Sequence, residues 1–218
     1  MAQGALALLA RALDEGVSPP GDATSERILD AALAACAASG VRNLTMDEVA
    51  RRARVGRMTV YRRFGDRDGL VEALAVRETR RCLAELDAAA DPAQPVADQI
   101  AEGFVTSLRL AAEHPMLARL ARVEPDVVLD TLNDERAGAF AAAVAFLAYR
   151  LRQSQAAGVL AEDVDVDVVA ELLARVAFSF VLVPGGGLPL DDPDRLRAIA
   201  RRHLLPLLTG STAPNEET

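Results

Sequence analysis

The sequence of 218 residues contains no lysine and no tryptophan, and aromatic residues make up only 4% of it. All 24 basic residues are therefore arginines; with the high alanine content this is typical of coding bias in a GC-rich genome, and we attach no function to it. The guanidinium group nevertheless suits two-pronged hydrogen bonding to phosphate or guanine. Apolar residues make up 51% of the chain and charged residues 26%, which is enough to bury one or two helical cores.

Several kinds of chemistry lack the residues that they need. The two cysteines, Cys36 and Cys82, and the two histidines, His114 and His203, show no paired ligand spacing, so neither a zinc site nor a thiol catalyst is predicted. We expect both cysteines to be buried, reduced thiols. The three glycines at 185–187 follow a helical segment, which is typical of a flexible connection and not of a phosphate-binding loop. We therefore predict no enzymatic activity, no cofactor and no metal.

The chain also lacks a segment typical of export or of membrane insertion. Its first residues have no basic start and no small-residue cleavage site, and Val17–Gly21 interrupts the opening helical pattern. The longest apolar run, Val176–Pro184, is shorter than the ~18 residues that a bilayer requires. We expect a cytoplasmic protein without a membrane partner, in which residues 1–21 form an extension that is either flexible or a short helix.

Positive charge is concentrated in one short stretch of this acidic chain. Residues 42–67 contain eight arginines and three acidic residues, a balance of +5, whereas the whole chain has a net charge of −8. Thr45 is a good N-cap, and helical spacing predicts a two-turn helix, Met46–Ala53, a three-residue turn, and a second helix, Arg57–Phe64. A helix pair with a basic outer surface is what a protein needs to enter a DNA major groove. The alternative, a solvated basic face on an ordinary helix pair, leaves the aromatic and basic cluster at 61–64 without a role.

At these residues the sequence resembles the TetR family of bacterial transcription regulators. The similar stretch runs from Ser25 to about Leu74 and keeps the family order of several features. These are Gly40 at the end of a first helix, the Thr45 cap, the small residues Val49, Ala50 and Ala53, the run Thr59–Tyr61, Phe64, and the basic residue Arg67 at the start of a fourth helix. The chain departs from the family at Arg54, a frequent turn glycine, at Gly56, a frequent Ser or Thr cap, and at Met58, a frequent glycine. The base preference should therefore be the chain's own.

The resemblance implies that this helix pair binds double-stranded operator DNA. The candidates for contact with base edges are Arg57, Met58 and Thr59. The candidates that mainly hold phosphates are Thr45, Tyr61, Arg62 and Arg67, and the predicted surface is completed by Arg54 and Arg63. A protein-interaction module that offers the same basic surface to an acidic partner is the alternative to a DNA-binding protein, and the salt dependence of binding to unrelated duplex distinguishes the two.

Amphipathic helical patterns continue through the rest of the chain, and no strand pattern competes with them. The predicted helices, from the fourth to the ninth, are 67–90, 96–113, 115–122, 133–157, 164–183 and 192–208. We therefore predict an all-α fold of about nine helices, with a three-helix helix-turn-helix domain followed by a helical ligand-binding and dimerisation domain. The domain bounds are an extension at 1–21, a DNA-binding domain at 22–68, a regulatory domain at 69–209, and a disordered tail at 210–218.

The predicted eighth helix is too apolar for a lone surface helix. Between Val168 and Leu182 only Glu171 and Arg175 are charged, and both lie on one face. The resemblance implies that the eighth and ninth helices form a four-helix interface between two subunits; the alternative is a helix buried wholly within its own domain. The candidate interface residues are Val169, Leu173, Val176, Phe178, Phe180, Leu182, Leu196, Ile199 and Leu204.

The resemblance also implies a pocket for a small-molecule effector, bounded by helices four to eight. Candidate pocket residues are Phe104, Leu108, Arg109, His114, Leu117, Phe140, Val144 and Tyr149. Periodicity cannot distinguish a pocket wall from an ordinary core, so each of these has a purely structural alternative. The predicted function is a repressor that binds a palindromic operator as a homodimer and is released by a small apolar ligand. The alternatives are a constitutive DNA-binding regulator without a ligand and a transcriptional activator.

Overall fold

The computed structural model describes residues 22–91, 94–124, 126, 139–183 and 186–208. Within these ranges it contains nine α-helices and no strand, which confirms the predicted all-α fold. The helices are α1 Ala23–Ser39, α2 Met46–Ala53, α3 Arg57–Phe64, α4 Arg67–Ala89, α5 Val96–Glu113, α6 Pro115–Val123, α7 Ala139–Ala156, α8 Val166–Leu182 and α9 Pro193–Ile199. The predicted extension at 1–21, the tail at 210–218 and the first residues of the predicted seventh helix lie outside the described residues. None of the described helices is long and apolar enough to cross a membrane.

Local capping fixes the bounds of the N-terminal helices where the sequence predicted them. The Thr45 hydroxyl accepts a hydrogen bond of 3.2 Å from the Glu48 amide, and the Asp66 carboxylate accepts one of 2.8 Å from the Gly69 amide. Each such cap stabilises a helix by ~0.5–2 kcal/mol. Gly40 ends α1 with a φ of 89°, a backbone conformation that residues other than glycine rarely adopt.

The turn between α2 and α3 places an arginine in a conformation that favours glycine. Arg54 has φ 54° and ψ 45°, in the left-handed region, and no other non-glycine residue in the described ranges has a positive φ. This conformation costs an L-residue ~1–2 kcal/mol. The Arg54 amide donates to the Arg51 carbonyl at 3.3 Å and the Val55 amide to the Ala50 carbonyl at 3.0 Å. Backbone hydrogen bonds therefore hold the turn in place of a favourable turn residue.

Two large clusters of buried apolar side chains form the cores, and a third, small cluster joins Leu83 of α4 to Ala142 and Phe146 of α7. The first joins α1 to α4 and includes Ile28, Val60 and Leu70, each 0% exposed. The second joins α5, α7, α8 and α9. Met116 of α6 is buried in the first cluster although α6 follows α5 in the chain. Helix α6 therefore reaches across from the second half of the molecule to the first three helices.

The C-terminal helix begins as predicted but changes its hydrogen bonding part-way. Asp192 accepts a hydrogen bond of 3.1 Å from the Arg195 amide and Pro193 occupies the first turn, so the predicted start is confirmed. After Ile199 the chain continues as a π-helical turn, Ala200–Leu204, and a 3-10 turn, Leu205–Leu207. A regular α-helix cannot pass through residue 206, because this proline has no amide hydrogen to donate.

Candidate DNA-binding surface and cavity

Helix α3 turns one face to the first core and the opposite face to solvent. Val60 is fully buried and fastens the helix to the core, whereas Arg57 and Arg62 are exposed. Met58, in the first turn, is 75% exposed, which is unusual for a large apolar side chain. Thr59 is half-buried on the edge of this surface. The exposed side of α3 therefore offers both guanidinium groups and one apolar side chain.

Contacts within the surface orient the Arg57 guanidinium. It donates to the Asp47 carboxylate, with Nε to Oδ1 at 3.0 Å and Nη1 to Oδ2 at 3.1 Å, and its Nη2 donates to the Tyr61 hydroxyl at 3.2 Å. Its Cζ lies 5.2 Å from the centre of the Tyr61 ring, within the range of a cation–π contact. The hydrogen bond with Tyr61 and the charge of Asp47 both raise the pKa of Arg57, so the group remains cationic.

Two of the predicted DNA-binding arginines, Arg63 and Arg67, form hydrogen bonds with other parts of the protein. Arg63 donates to the Ser25 hydroxyl at 2.8 Å and to the Asp22 carboxylate, both at the start of α1. Arg67 donates from Nη2 to the Val41 carbonyl at 2.8 Å and from Nε to the Leu44 carbonyl at 3.2 Å. In this structure the two side chains fix α1 and the loop between α1 and α2. Of the other candidates, Thr45, Arg54 and Arg62 are exposed and Tyr61 is half-buried.

Helices α4 to α8 enclose a cavity of about 290 Å³, at the lower end of the range of ~300–1,000 Å³ typical of small-molecule sites. Its wall follows α4 from Val71 to Ala90 and α5 from Val96 to His114. At 1.5 Å per residue, the α4 wall is about 28 Å long. Val41, from the loop between α1 and α2, also lines it. The cavity is therefore elongated, largely apolar and in contact with the helix-turn-helix region.

The structure places three of the eight candidate pocket residues on the cavity wall and five elsewhere. Phe104, His114 and Leu117 line the cavity. Leu108 is buried in the second core, and Val144 packs against that core. Arg109 pairs with Glu85 and Glu113, and the exposed Tyr149 contacts Gln153, all away from the cavity. Phe140 does not line the cavity itself but packs edge-on against Phe178, which does. The helical period places these residues correctly in helices, but it does not tell which side of each helix faces the cavity.

The sequence analysis missed the side of the cavity that α4 provides. Residues of α4 recur on the wall at helical spacing and include Leu74, Glu78, Cys82 and Leu86. A signal was present, because Glu78 interrupts an otherwise small or apolar stripe on this helix. None of the candidate pocket residues was taken from this helix.

Glu78 carries a negative charge at the end of the cavity nearest the first core. Its Oε1 accepts a hydrogen bond of 2.8 Å from Arg77 Nε, and its Oε2 lies 3.2 Å from His114 Nε2. Burial would raise the pKa of Glu78, but the hydrogen bond from His114 and the charge of Arg77 outweigh it and hold the pKa below its ordinary value. The Leu117 amide donates to His114 Nδ1 at 3.3 Å, so the geometry assigns the imidazole proton to Nε2, from which it donates to Glu78.

Arg150 lies at the opposite end of the cavity. Its Nη1 donates to the Asp87 carboxylate at 3.1 Å, and its Nη2 donates to the Ala90 carbonyl at 3.0 Å and to Gln99 Oε1 at 3.4 Å. The side chain of Arg150 is 20% exposed and that of Asp87 is 52% exposed. This end of the cavity is thus closer to solvent than the end at Glu78 and His114, where both side chains are 10% exposed.

The two cysteines are free thiols in separate places. Cys36 is buried in the first core, and Cys82 lines the cavity. Burial raises the pKa of each thiol to about 11, so both remain protonated and weakly nucleophilic near neutral pH. In the ranges that the structure describes, no group of three metal-ligating side chains comes together.

Comparison with known proteins agrees with this architecture. Residues 28–74 match the sequence profile described as bacterial regulatory proteins, tetR family. The HTH-type transcriptional regulator Rv1255c of Mycobacterium tuberculosis is 29% identical over 191 residues, 87% of each chain. The crystal structure of the TetR family repressor AlkX from Dietzia sp. superposes with a TM-score of 0.61 at 25% identity, covering 84% of this chain and 96% of that one. Bacillus subtilis FadR in complex with stearoyl-CoA shares the fold, with a TM-score of 0.62 at 17% identity over 85% and 98%.

The chain carries the N-terminal domain of the TetR family of bacterial transcription regulators, and over most of its length it is similar to HTH-type transcriptional regulators and to a TetR family repressor. Members of this family bind DNA, and the family profile covers residues 28–74, which include the helix pair α2 and α3. The comparisons therefore assign it to regulators of transcription and not to enzymes.

Most of the candidate interface residues, which lie in α8, in α9 and in the π-helical turn after it, pack inside the subunit. Val169, Leu173, Leu196 and Leu204 are buried in the second core, and Val176 and Phe180 pack against it. Phe178 lines the cavity, Leu182 packs against the first core, and Ile199 is half-buried. The apolar side chains that α8 exposes are instead Val168 and Leu172, 53% and 42% exposed. The exposed apolar face lies one residue away from the predicted one, because apolar residues surround most of this helix.

Proposed function

We propose that the chain is a repressor that binds a palindromic operator as a homodimer and releases it when a small, largely apolar ligand enters the cavity. The observation that carries the proposal is the elongated apolar cavity, whose wall includes both α4 and Val41 of the helix-turn-helix region. The same α4 begins with Arg67, which holds the loop that contains Val41. A ligand that separates α4 from α5 would therefore act directly on the DNA-binding surface.

DNA binding is assigned to the exposed face of α3 and its surroundings. Arg57 and Met58 would face base edges in the major groove, and Thr45 and Arg62 would hold phosphates. Arg57 would then exchange Asp47 for a base or phosphate partner. Arg63 and Arg67 would support the surface from inside, through their contacts with α1 and the following loop.

The homodimer is supported by the exposed apolar face of α8. Val168 and Leu172 lie one turn apart, and Arg175 continues the same face. Two copies of this face, related by a twofold axis, would bury it and hold two helix-turn-helix units in successive major grooves, about 34–36 Å apart. The same face left in water would expose two large apolar side chains on one helix.

Helix α6 provides a mechanical connection between the cavity and the DNA-binding domain. At its start, His114 accepts a hydrogen bond from the Leu117 amide, as an N-cap does, and donates a hydrogen bond to Glu78 of α4. Beyond its end, the buried Glu124 accepts a hydrogen bond of 3.0 Å from the Val41 amide. Because α6 is attached to the cavity wall at one end and to the loop between α1 and α2 at the other, a ligand that displaces it would alter the orientation of the DNA-binding domain.

The ligand class is supported by the apolar wall and, secondarily, by the relatives. The Dietzia repressor is described as implicated in the biodegradation of n-alkanes, and FadR of B. subtilis was crystallised with stearoyl-CoA. Both compounds contain an aliphatic chain, which an elongated apolar cavity would accept. A regulator of this kind would act where the chromosome is, in the cytoplasm.

The test starts from an operator selected by the purified protein from random duplexes. We expect the selected sites to be palindromic, and a mobility shift to give a two-to-one complex whose affinity falls steeply with salt. Candidate aliphatic ligands are then titrated into the complex. If the protein binds the site but no ligand releases it, the chain is a constitutive regulator; if sedimentation shows a monomer at micromolar concentration, the paired half-sites lose their basis. If the protein binds no duplex DNA at any salt concentration, an acidic protein partner is favoured instead.

A further inference from the structure

We propose that the effector is an unbranched aliphatic carboxylate, with its carboxylate on Arg150 and its chain extending along α4 towards His114. This inference rests on the proposed function, because it assumes that the cavity receives the effector. It adds the chemical class of the headgroup and the direction in which the ligand lies.

The shape of the cavity favours a chain over a compact ring system. The wall follows α4 for about 28 Å, at 1.5 Å per residue, although the volume is only about 290 Å³. Apolar side chains form most of this wall, and Leu74, Leu83, Phe104 and Phe146 are examples from three helices. A molecule that fills such a space must be long and narrow.

The two charged residues of the wall lie at different places along the cavity and so determine which way round a charged ligand would bind. Among the described residues that line it, Glu78 is the only acidic residue and Arg150 the only arginine. Along α4, the 12 residues from Glu78 to Ala90, whose carbonyl Arg150 contacts, correspond to about 18 Å. The donors beside Glu78, Arg77 Nε and His114 Nε2, already donate to its carboxylate, so this part of the cavity offers no free cation to a second carboxylate. An anionic headgroup is therefore directed to the far end of the cavity.

Arg150 can accept such a headgroup with little rearrangement. Its present partner, Asp87, is 52% exposed, so its carboxylate can turn into water when a ligand replaces it. The contacts with Ala90 and Gln99 hold the guanidinium at the cavity wall and can remain. A guanidinium offers five N–H donors and binds a carboxylate through two parallel hydrogen bonds. An alcohol or an alkane gains nothing from this exchange, and an ammonium group would be repelled.

The experiment compares headgroups at equal chain length on the full-length protein. Octanoate, dodecanoate and hexadecanoate, with the corresponding alcohols and alkanes, are titrated calorimetrically and into the operator complex. We expect one chain length to bind best, and its carboxylate to bind on the order of tenfold more tightly than its alcohol, because a charge-assisted pair exceeds a neutral hydrogen bond. Arg150→Gln should remove this difference while leaving the affinity for the alcohol unchanged.

Two further variants make the assignment specific. Asp87→Asn removes the competing carboxylate and should raise the affinity for the fatty carboxylate several-fold, with no effect on the alcohol. Arg152→Gln is the matched control, because Arg152 lies on the same helix, is exposed, and pairs with Asp167 outside the cavity; it should leave all affinities unchanged.

The possible outcomes separate this inference from the proposed function. If the alcohol or alkane binds as tightly as the carboxylate and releases DNA, the headgroup assignment is overturned and the ligand-responsive repressor stands. If Arg150→Gln and Arg152→Gln weaken the carboxylate equally, the effect is general electrostatic attraction and the assignment to Arg150 is also overturned. If no chain of any headgroup or length binds, both the inference and the apolar-ligand part of the proposed function fail.

Discussion

Glu124 joins the end of α6 to the loop between α1 and α2, and replacing it should weaken both the fold and the response to effector. The side chain is 6% exposed, and its Oε2 accepts a hydrogen bond of 3.0 Å from the Val41 amide. A hydrogen bond to a charged group contributes ~1.5–3 kcal/mol, and its loss leaves a buried amide without a partner. We expect Glu124→Ala to lower the free energy of unfolding by about 2–3 kcal/mol, and Glu124→Gln, which keeps an acceptor oxygen, by about 1 kcal/mol.

Gly40 allows the same contact to be perturbed from the DNA-binding side. A Cβ atom at this position would lie 2.3 Å from Glu124 Oε1, and the φ of 89° would strain any L-residue. Gly40→Ala should lower the free energy of unfolding by about 3 kcal/mol in the natural sequence, of which ~1–2 kcal/mol is backbone strain. In the Glu124→Ala background the strain persists but the clash is gone, so the double-mutant cycle gives the cost of the clash between the added Cβ and the Glu124 carboxylate.

Two assays measure the consequences of this contact. Denaturation in urea gives the free energy of unfolding of each variant. Titration of labelled operator, with and without an effector that releases the natural protein, gives the factor by which that effector weakens DNA binding. Glu124→Ala should reduce this factor, whereas Glu124→Gln should largely preserve it. A destabilisation below about 0.5 kcal/mol, with an unchanged effector response, would refute a coupling role for Glu124.

Three further tests, two of them with a matched control substitution, concern the dimer, the cavity and base recognition. Leu172→Asp would bury an unpaired charge between subunits and should give a monomer in sedimentation, whereas Val159→Asp, also at an exposed site, should remain dimeric. Ala143→Phe should fill the cavity and block operator release while sparing DNA binding; Val144→Phe, beside the second core, should instead lower the free energy of unfolding by ~1–3 kcal/mol. Met58→Gly should relax the base preference at one position of each half-site, and unchanged selected sequences would exclude Met58 from base contact.

The helix-turn-helix region could be predicted from sequence to the residue, because local interactions determine its bounds. The Thr45 and Asp66 caps act over three residues, and the Thr45 cap is present where it was expected. Even the unfavourable turn was detectable, since Arg54 occupies a position where glycine would be expected and adopts a left-handed conformation there. Such features require no knowledge of what the segment packs against.

The interface and the cavity could not be predicted at the same level, because they depend on which side of a helix faces which neighbour. In α8 almost every side is apolar, so Val168 and Val169 were equivalent in sequence, although the structure exposes one and buries the other. The same holds for Ala143 and Val144 in α7: only the smaller residue lines the cavity. The sequence also could not tell which arginines bind DNA and which bind within the protein. Arg67 donates to a backbone carbonyl that is far away in the sequence.

Helix α4 belongs to both halves of the molecule, and this limits how an effector can act. Its first turns, with Leu70 and Leu74, are buried in the first core, and the cavity wall follows the same helix from Val71 onwards, so that Leu74 belongs to both. A rigid helix that shares both environments cannot move at the cavity without disturbing the first core. Under the proposed function, effector and operator therefore favour different positions of one element, and linkage requires the operator to weaken effector binding by the same factor by which the effector weakens operator binding. An effector with equal affinity for both positions would fill the cavity and release nothing.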